Sequence, residues 1–184
     1  MNAIVVIGGS AGGLDPLRKI IAEVTADSRA SIFIVIHIGA NRSVLPDLLA
    51  RAGALPAVFG KNGALIEQGR IYVAPPDHHM LLERGHIRLS QDAKVHFTRP
   101  AVDPLFRSAA KAFGDRVVGI ILSGGDGDGA EGLRAIAERG GIALVQDPEE
   151  AMTPSMPYSA MMSTHPDGCL STALLARRVR ELCR

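Results

Sequence analysis

The chain has 184 residues, 47% apolar and 21% charged, a mix that supplies the core of one ordinary domain and argues against disorder. Its 20 Lys and Arg against 19 Asp and Glu leave a formal charge of +1, far from the basic balance that phosphate-backbone binding favours, and aromatics at 4% offer few platforms for stacking bases, so nucleic acid is not an expected partner. No apolar run approaches the roughly 18 residues of a bilayer span, and the run after Met1 lacks a basic n-region, so a soluble, unexported, cytoplasmic protein with no membrane insertion is expected.

In chain order, residues 4–7 form an aliphatic run ended by Gly8-Gly9-Ser10-Ala11-Gly12-Gly13, which reads as a strand buried on both faces. Leu17, Ile20, Ile21 and Val24 then recur on one helical face over 14–24, with Pro16 near the start, where a missing N–H costs little. Residues 31–36 are a second buried strand closed by His37. After a polar loop, 43–51 reads as a helix with Ser43 as N-cap and Leu45, Leu48 and Leu49 as its apolar face. This order predicts a parallel sheet.

From Pro56 to about Arg99 the rhythm breaks into the short pieces 70–74, 80–83 and 87–90, where hairpins acting as edge strands or a flap are expected. Asp103-Pro104 reads as the N-cap and first residue of a helix striped by Leu105, Phe106, Ala109, Ala110 and Phe113. A third aliphatic strand, 117–122, leads into Ser123-Gly124-Gly125-Asp126-Gly127-Asp128-Gly129 and a helix over 130–139 ended by Gly140-Gly141. Residues 142–146 read as a strand, 148–157 as a Pro-rich loop, and 171–182 as an amphipathic helix with Arg177, Arg178 and Arg180 outward. The expected architecture is one α/β domain over 1–184: a doubly wound, mostly parallel sheet flanked by helices, with a β-hairpin region in the middle of the chain.

Ligands of such sheets sit outside the carboxyl ends of the strands. Ser10 follows the first strand, His37 closes the second, and Asp126 and Asp128 follow 117–122, so a nucleophile, a base and an orienting carboxylate can converge from loops distant in sequence. Gly8-Gly9-Ser10-Ala11-Gly12 matches G-x-S-x-G at a strand-to-helix turn, where unusual backbone angles near the serine are expected and backbone N–H groups, with Ala11 and Gly125 as candidates, can face a developing oxyanion. A phosphate-cradling turn is the competing reading, but Ser10 replaces a glycine of the G-x-G-x-x-G frame and His37 stands where a dinucleotide site carries an acid. A calcium loop opening at Asp126 lacks its closing glutamate, because the twelfth position is Ala137. Spacing leaves open which aspartate orients the histidine.

The remaining polar groups read as structural. His78, His79, His86, His96 and His165 suit surface or hydrogen-bonding roles, Arg99 and Arg107 flank a helix, and Cys169 and Cys183, without metal-type spacing, are expected as reduced thiols.

Together, the glycine turn, His37, Ile71-Tyr72-Val73-Ala74-Pro75-Pro76-Asp77-His78-His79-Met80, Arg99-Pro100-Ala101-Val102-Asp103-Pro104-Leu105-Phe106 and the loop from Leu122 to Ala130 resemble the catalytic domain of chemotaxis protein-glutamate methylesterases of the CheB type. The resemblance implies hydrolysis of glutamyl methyl esters on the cytoplasmic helices of methylated chemoreceptors, or on another methyl-esterified protein, with glutamine deamidation as a second activity and no cofactor. Carried over by position, it implies Ser10 as nucleophile, His37 as base and Asp128 as carboxylate. The chain departs from the usual pattern at Ala11, where threonine is usual, at Ile36, where glutamine is, and at Gly125, where methionine is. Met1 almost abuts the first strand, so no receiver domain and no phosphorylation control within this chain are expected. The alternative function is a non-catalytic module binding an anion or a receptor tail, or an esterase for another carboxylic ester.

Overall fold

The aliphatic runs become strands because β-branched side chains covered on both faces need no polar alternation. In the computed structural model, which describes residues 2–37 and 42–184, the strands are β1 (Ile4–Gly9), β2 (Ser31–Ile36), β3 (Ala57–Phe59), β4 (Arg70–Val73), β5 (His79–Glu83), β6 (His86–Ser90), β7 (Val117–Ile121), β8 (Ile142–Gln146) and β9 (Gly168–Leu170). The helices are α1 (Leu14–Ala22), α2 (Leu45–Ala52), α3 (Val102–Phe113), α4 (Ala130–Ala137), α5 (Ser155–Ser163) and α6 (Thr172–Leu182).

Seven strands form one sheet in the order β3-β4-β2-β1-β7-β8-β9, every pairing parallel, while β5 and β6 make a separate antiparallel hairpin. Alternation along the central strands divides the core. Ile4 and Val6 of β1 and Phe33 and Val35 of β2 pack with α3, α4, α5 and the hairpin; Val5, Ile7, Ile32 and Ile34 pack with α1, α2 and α6. Each fully buried aliphatic side chain of this kind contributes about 1.5–3 kcal/mol. The sheet thus has helices on both faces, the doubly wound arrangement the sequence predicts.

The middle of the chain differs from expectation. Arg70–Val73 is no hairpin strand: it pairs between β3 and β2 inside the main sheet, and only β5–β6 forms the expected hairpin. Residues 148–157 are not wholly loop, because α5 begins at Ser155; its Pro157 lies in the first turn, and its buried Met156 and Ala160 are too few to show a periodic stripe. Val44 rather than Ser43 holds the N-cap of α2, although the Ser43 hydroxyl accepts the Leu45 N–H at 3.1 Å. The polar loop after His37 falls partly on residues 38–41, outside the described residues. Asp103 is not the cap of α3 either; Ala101 is, and Asp103 lies buried in the first turn.

No described helix is long and apolar enough to cross a membrane. The topology places the carboxyl ends of β2, β1 and β7 side by side: β2 follows β1 in the chain on one side, and on the other side β7 opens the second half of the sheet, reached through α3. That is the switch point at which a doubly wound sheet opens a crevice.

Candidate active site

Ser10 and His37 each stand one position beyond a paired residue. Gly9 and Ile36 are register partners, and the His37 N–H donates to the Gly9 carbonyl at 3.2 Å. On the other flank the Ser10 N–H donates to the Ser123 carbonyl at 2.9 Å, which docks the loop after β7 against the glycine turn. A Cβ at Gly124 would overlap the Met156 side chain and lie 3.0 Å from the Ser10 Cβ, so the glycine lets the two loops pack closely. The unusual backbone angle expected near Ser10 is found at Gly12, whose φ is +77°.

The His37 side chain is 10% exposed, and its Nε2 lies 2.7 Å from Asp128 Oδ2. Asp128 is buried at the amino end of α3, where its Oδ2 also accepts the Val102 N–H at 2.6 Å and its Oδ1 the Asp103 N–H at 2.9 Å. A carboxylate at this end of a helix meets N–H groups without intrahelical partners and the favourable end of the macrodipole. The acceptor that closes α3 therefore comes from the loop after β7, which is why the local Asp103-Pro104 signal misleads.

Asp126 occupies the other side of the imidazole. Its Oδ2 is 3.5 Å from Nδ1, and its Oδ1 accepts the Asp128 N–H at 2.9 Å. Of the two aspartates that spacing left open, Asp128 makes the short, buried contact with the histidine.

The structure brings His37 and Asp128 into hydrogen-bond contact and sets Ser10 on the neighbouring strand end. Among the described residues the Ser10 hydroxyl has no hydrogen-bond partner, and neither do the N–H groups of Ala11 and Gly125. Among the described residues, a Cβ at position 125 would have Thr153 Cγ2, at 3.7 Å, as its one neighbour within 4 Å, so the loop is uncrowded there.

Two groups escaped the sequence reading. Ser123 ties loops together: its hydroxyl donates to the Ala11 carbonyl at 2.7 Å and accepts the Thr153 N–H at 2.9 Å. Gln146, 2% exposed, accepts the Ser123 N–H through Oε1 at 2.8 Å. A polar residue ending an aliphatic strand was the available signal for Gln146; nothing local marked Ser123. His96 contacts buried Asp103, with Nε2 3.0 Å from Oδ2.

Asp103, whose pKa burial pushes up, lies with His96 and Asp128 close enough together for a cation. The donor set does not fit one. Asp128 already takes the Val102 and Asp103 N–H groups, and Asp103 Oδ1 takes the Gly132 N–H at 2.6 Å, so protons rather than free lone pairs face the cluster. Arg99 is not free for a substrate: it is bound to Asp77 at 2.8 Å and to the carbonyls of Gln91 and Asp92. Two cavities of about 760 and 630 Å³ open beside the outer face of α3 and the β5–β6 hairpin, and neither is lined by Ser10, His37 or Asp128.

Comparison with known proteins agrees with this geometry. The family profile for CheB methylesterase matches residues 5–179. A Leptospira interrogans protein, provisionally named a protein-glutamate methylesterase/protein-glutamine glutaminase, is 37% identical over 174 residues, covering 94% of this chain and 90% of its own. Protein-glutamate methylesterase/protein-glutamine glutaminase 1 of Rhodospirillum rubrum is 40% identical over 161 residues, which is 84% of this chain and 42% of that relative. The crystal structure of the Thermotoga maritima CheB methylesterase catalytic domain matches with a TM-score of 0.92 at 28% identity, covering 99% of both chains. With the parallel sheet, the glycine turn and the paired imidazole and carboxylate at its strand ends, these matches establish that the chain belongs to the CheB methylesterase family of ester hydrolases.

Proposed function

We propose that this chain hydrolyses glutamyl methyl esters on the cytoplasmic helices of chemoreceptors, with glutamine deamidation as a second reaction of the same site. The observation that carries the reading is the 2.7 Å contact between His37 Nε2 and Asp128 Oδ2, one strand end away from Ser10. With Nε2–H donating to Asp128, the ring's lone pair is at Nδ1, and Nδ1 is the atom that takes the Ser10 proton. Ser10 Oγ bonds to the ester carbonyl carbon while the carbonyl electron pair moves to oxygen. The Ala11 and Gly125 N–H groups, without acceptors of their own among the described residues, suit that oxyanion, a role worth roughly 3–4 kcal/mol per donor in a well-studied protease. Methanol leaves with the proton from Nδ1, and water repeats the sequence to release the carboxylate.

Buried Asp128 offsets the imidazolium charge at each step. The open loop at Gly125 suits a side chain presented on a polypeptide better than a small molecule enclosed in a cavity. The test is methanol release from methylated receptor by the purified protein beside its Ser10→Ala variant, together with labelling of Ser10 by a fluorophosphonate. Release and labelling that both vanish in the variant support the reading. An unlabelled protein that phosphate stabilises thermally favours an anion-binding module, and labelling without methanol release favours an esterase for another carboxylic ester.

A further inference from the structure

His37 has a carboxylate at each ring nitrogen: Asp128 Oδ2 at 2.7 Å from Nε2 and Asp126 Oδ2 at 3.5 Å from Nδ1. The two acids differ in every other respect. Asp128 is buried and holds the first turn of α3, whereas the Asp126 side chain is 38% exposed and, among the described residues, makes no hydrogen bond with that helix's backbone. Asp126 is nevertheless fixed, because its Oδ1 accepts the N–H of Asp128 two residues on, a local turn that aims Oδ2 at the ring.

The 3.5 Å separation discriminates between protonation states. A carboxylate has no proton to offer the Nδ1 lone pair, and the gap exceeds the ~2.7–3.2 Å of an N–H···O bond, so the neutral ring gains little from Asp126. Once Nδ1 carries a proton, the same carboxylate is an ion-pair partner on the side of the ring opposite Asp128. An interaction that is stronger in the charged state than in the neutral one lowers a barrier that passes through the charged state.

We infer that Asp126 is a positioning residue for the His37 base, stabilising the imidazolium formed when Nδ1 takes the Ser10 proton. The arrangement then has four members, with one acid holding the ring's tautomer from the buried side and a second receiving the charge from the solvent side. The proton stays on Nδ1 while Oγ is bonded to the acyl carbon, and it departs on the methoxide oxygen as the C–OCH3 bond breaks. The titratable groups facing His37 are Asp126 and Asp128 from the loop after β7 and, behind Asp128, Asp103 of α3 with its partner His96. The catalytic part of this inference rests on the esterase reading; the charge coupling between Asp126 and His37 does not.

Asp126→Asn is the discriminating variant because it retains an oxygen for the Asp128 N–H while removing the charge. Asp126→Ala removes both. Two measurements are made on the full chain: the His37 ring titration by 15N NMR, and the pH dependence of ester hydrolysis and of fluorophosphonate labelling. In both variants the positive ring loses a nearby carboxylate, so the NMR midpoint and the acid limb of the rate profile are expected to move to lower pH, and the plateau rate falls about three- to tenfold. An unchanged midpoint in Asp126→Asn overturns the coupling, and a shifted midpoint with an undiminished plateau overturns the positioning role. Wild-type protein that neither hydrolyses esters nor labels at Ser10 sinks the esterase reading and with it the catalytic part, while the NMR titration still decides the coupling.

Discussion

Val102 and His37 share one acceptor. The Val102 N–H lies 2.6 Å and the His37 Nε2 2.7 Å from the same oxygen, Asp128 Oδ2, so the first turn of α3 and the imidazole are tied to one carboxylate. Asp128→Asn is accordingly expected to do two kinds of damage. Losing the charge at Nε2 lowers turnover by about four orders of magnitude, as for the equivalent change in a serine protease triad. Presenting an amide NH2 to backbone N–H donors costs on the order of 1–2 kcal/mol of stability, the scale of a lost helix cap. Steady-state hydrolysis and thermal denaturation of the same preparation check both, and a fully active or thermally unchanged Asp128→Asn contradicts the account.

Ser10→Ala and His37→Ala, by contrast, are expected to leave thermal stability nearly unchanged while reducing turnover by about four to six orders of magnitude. Methanol release is the measurement, and near-normal release from pure Ser10→Ala would remove the serine from the mechanism.

At Gly8 of β1 a methyl group would reach the site through packing alone. A Cβ there would overlap both γ-carbons of Val102, the residue whose N–H holds Asp128. Gly8→Ala is expected to cost about 1–3 kcal/mol by overpacking, with loss of activity as Val102 shifts. Val102→Ala makes room, so the double variant should be less destabilised than the sum of the singles, with a coupling of about 0.5–3 kcal/mol. Urea denaturation of the four proteins in this cycle gives the number, and strict additivity refutes the steric link.

This linkage also marks what the sequence could disclose. Buried parallel strands are written in continuous aliphatic runs, so β1, β2, β7 and β8 were legible, as were the loops carrying Ser10, His37 and Asp128. The short strands β3 and β9 have too few residues for a period to show, and α5 begins inside a Pro-rich stretch with no apolar stripe. The role of Asp128 at α3 was illegible because residues 102 and 128 are joined only by tertiary structure. The motif signal at Asp103 was a correct sign of a helix start attached to the wrong oxygen.

Asp103 itself makes a pH prediction. Burial, reinforced by neighbouring Asp128, raises its pKa in the folded protein, so the native state holds this proton to higher pH than the unfolded chain does. Its contribution to stability is therefore fullest below the ordinary carboxylate value of about 3.9 and declines as pH rises through the raised native value. Asp103→Asn keeps an acceptor for the Gly132 N–H and cannot ionise, so its stability relative to wild type should improve as pH rises over that window. Denaturant midpoints from pH 4 to 7 test this, and a constant difference between the two proteins rejects it.

The two thiols should behave differently. Cys169 is exposed, whereas Cys183, the C-cap of α6, is buried with its thiol pushed up to about 11 by burial. At pH 8 iodoacetamide is expected to modify Cys169 in the native protein and Cys183 only as fast as the molecule unfolds. Equal labelling rates measured by mass spectrometry would show that the C-terminal helix opens on its own.

The open space at Gly125 has a practical consequence for anyone wishing to redirect this catalyst. Along α3, variants chosen for a new ester will arrive entangled with altered melting behaviour, because that helix and the imidazole share a fastening. Position 125 borders the same chemistry, yet among the described residues a Cβ there would have one methyl group within 4 Å, and its φ lies outside the range that excludes ordinary side chains. Library diversity spent there samples substrate preference while leaving the scaffold's thermal margin intact.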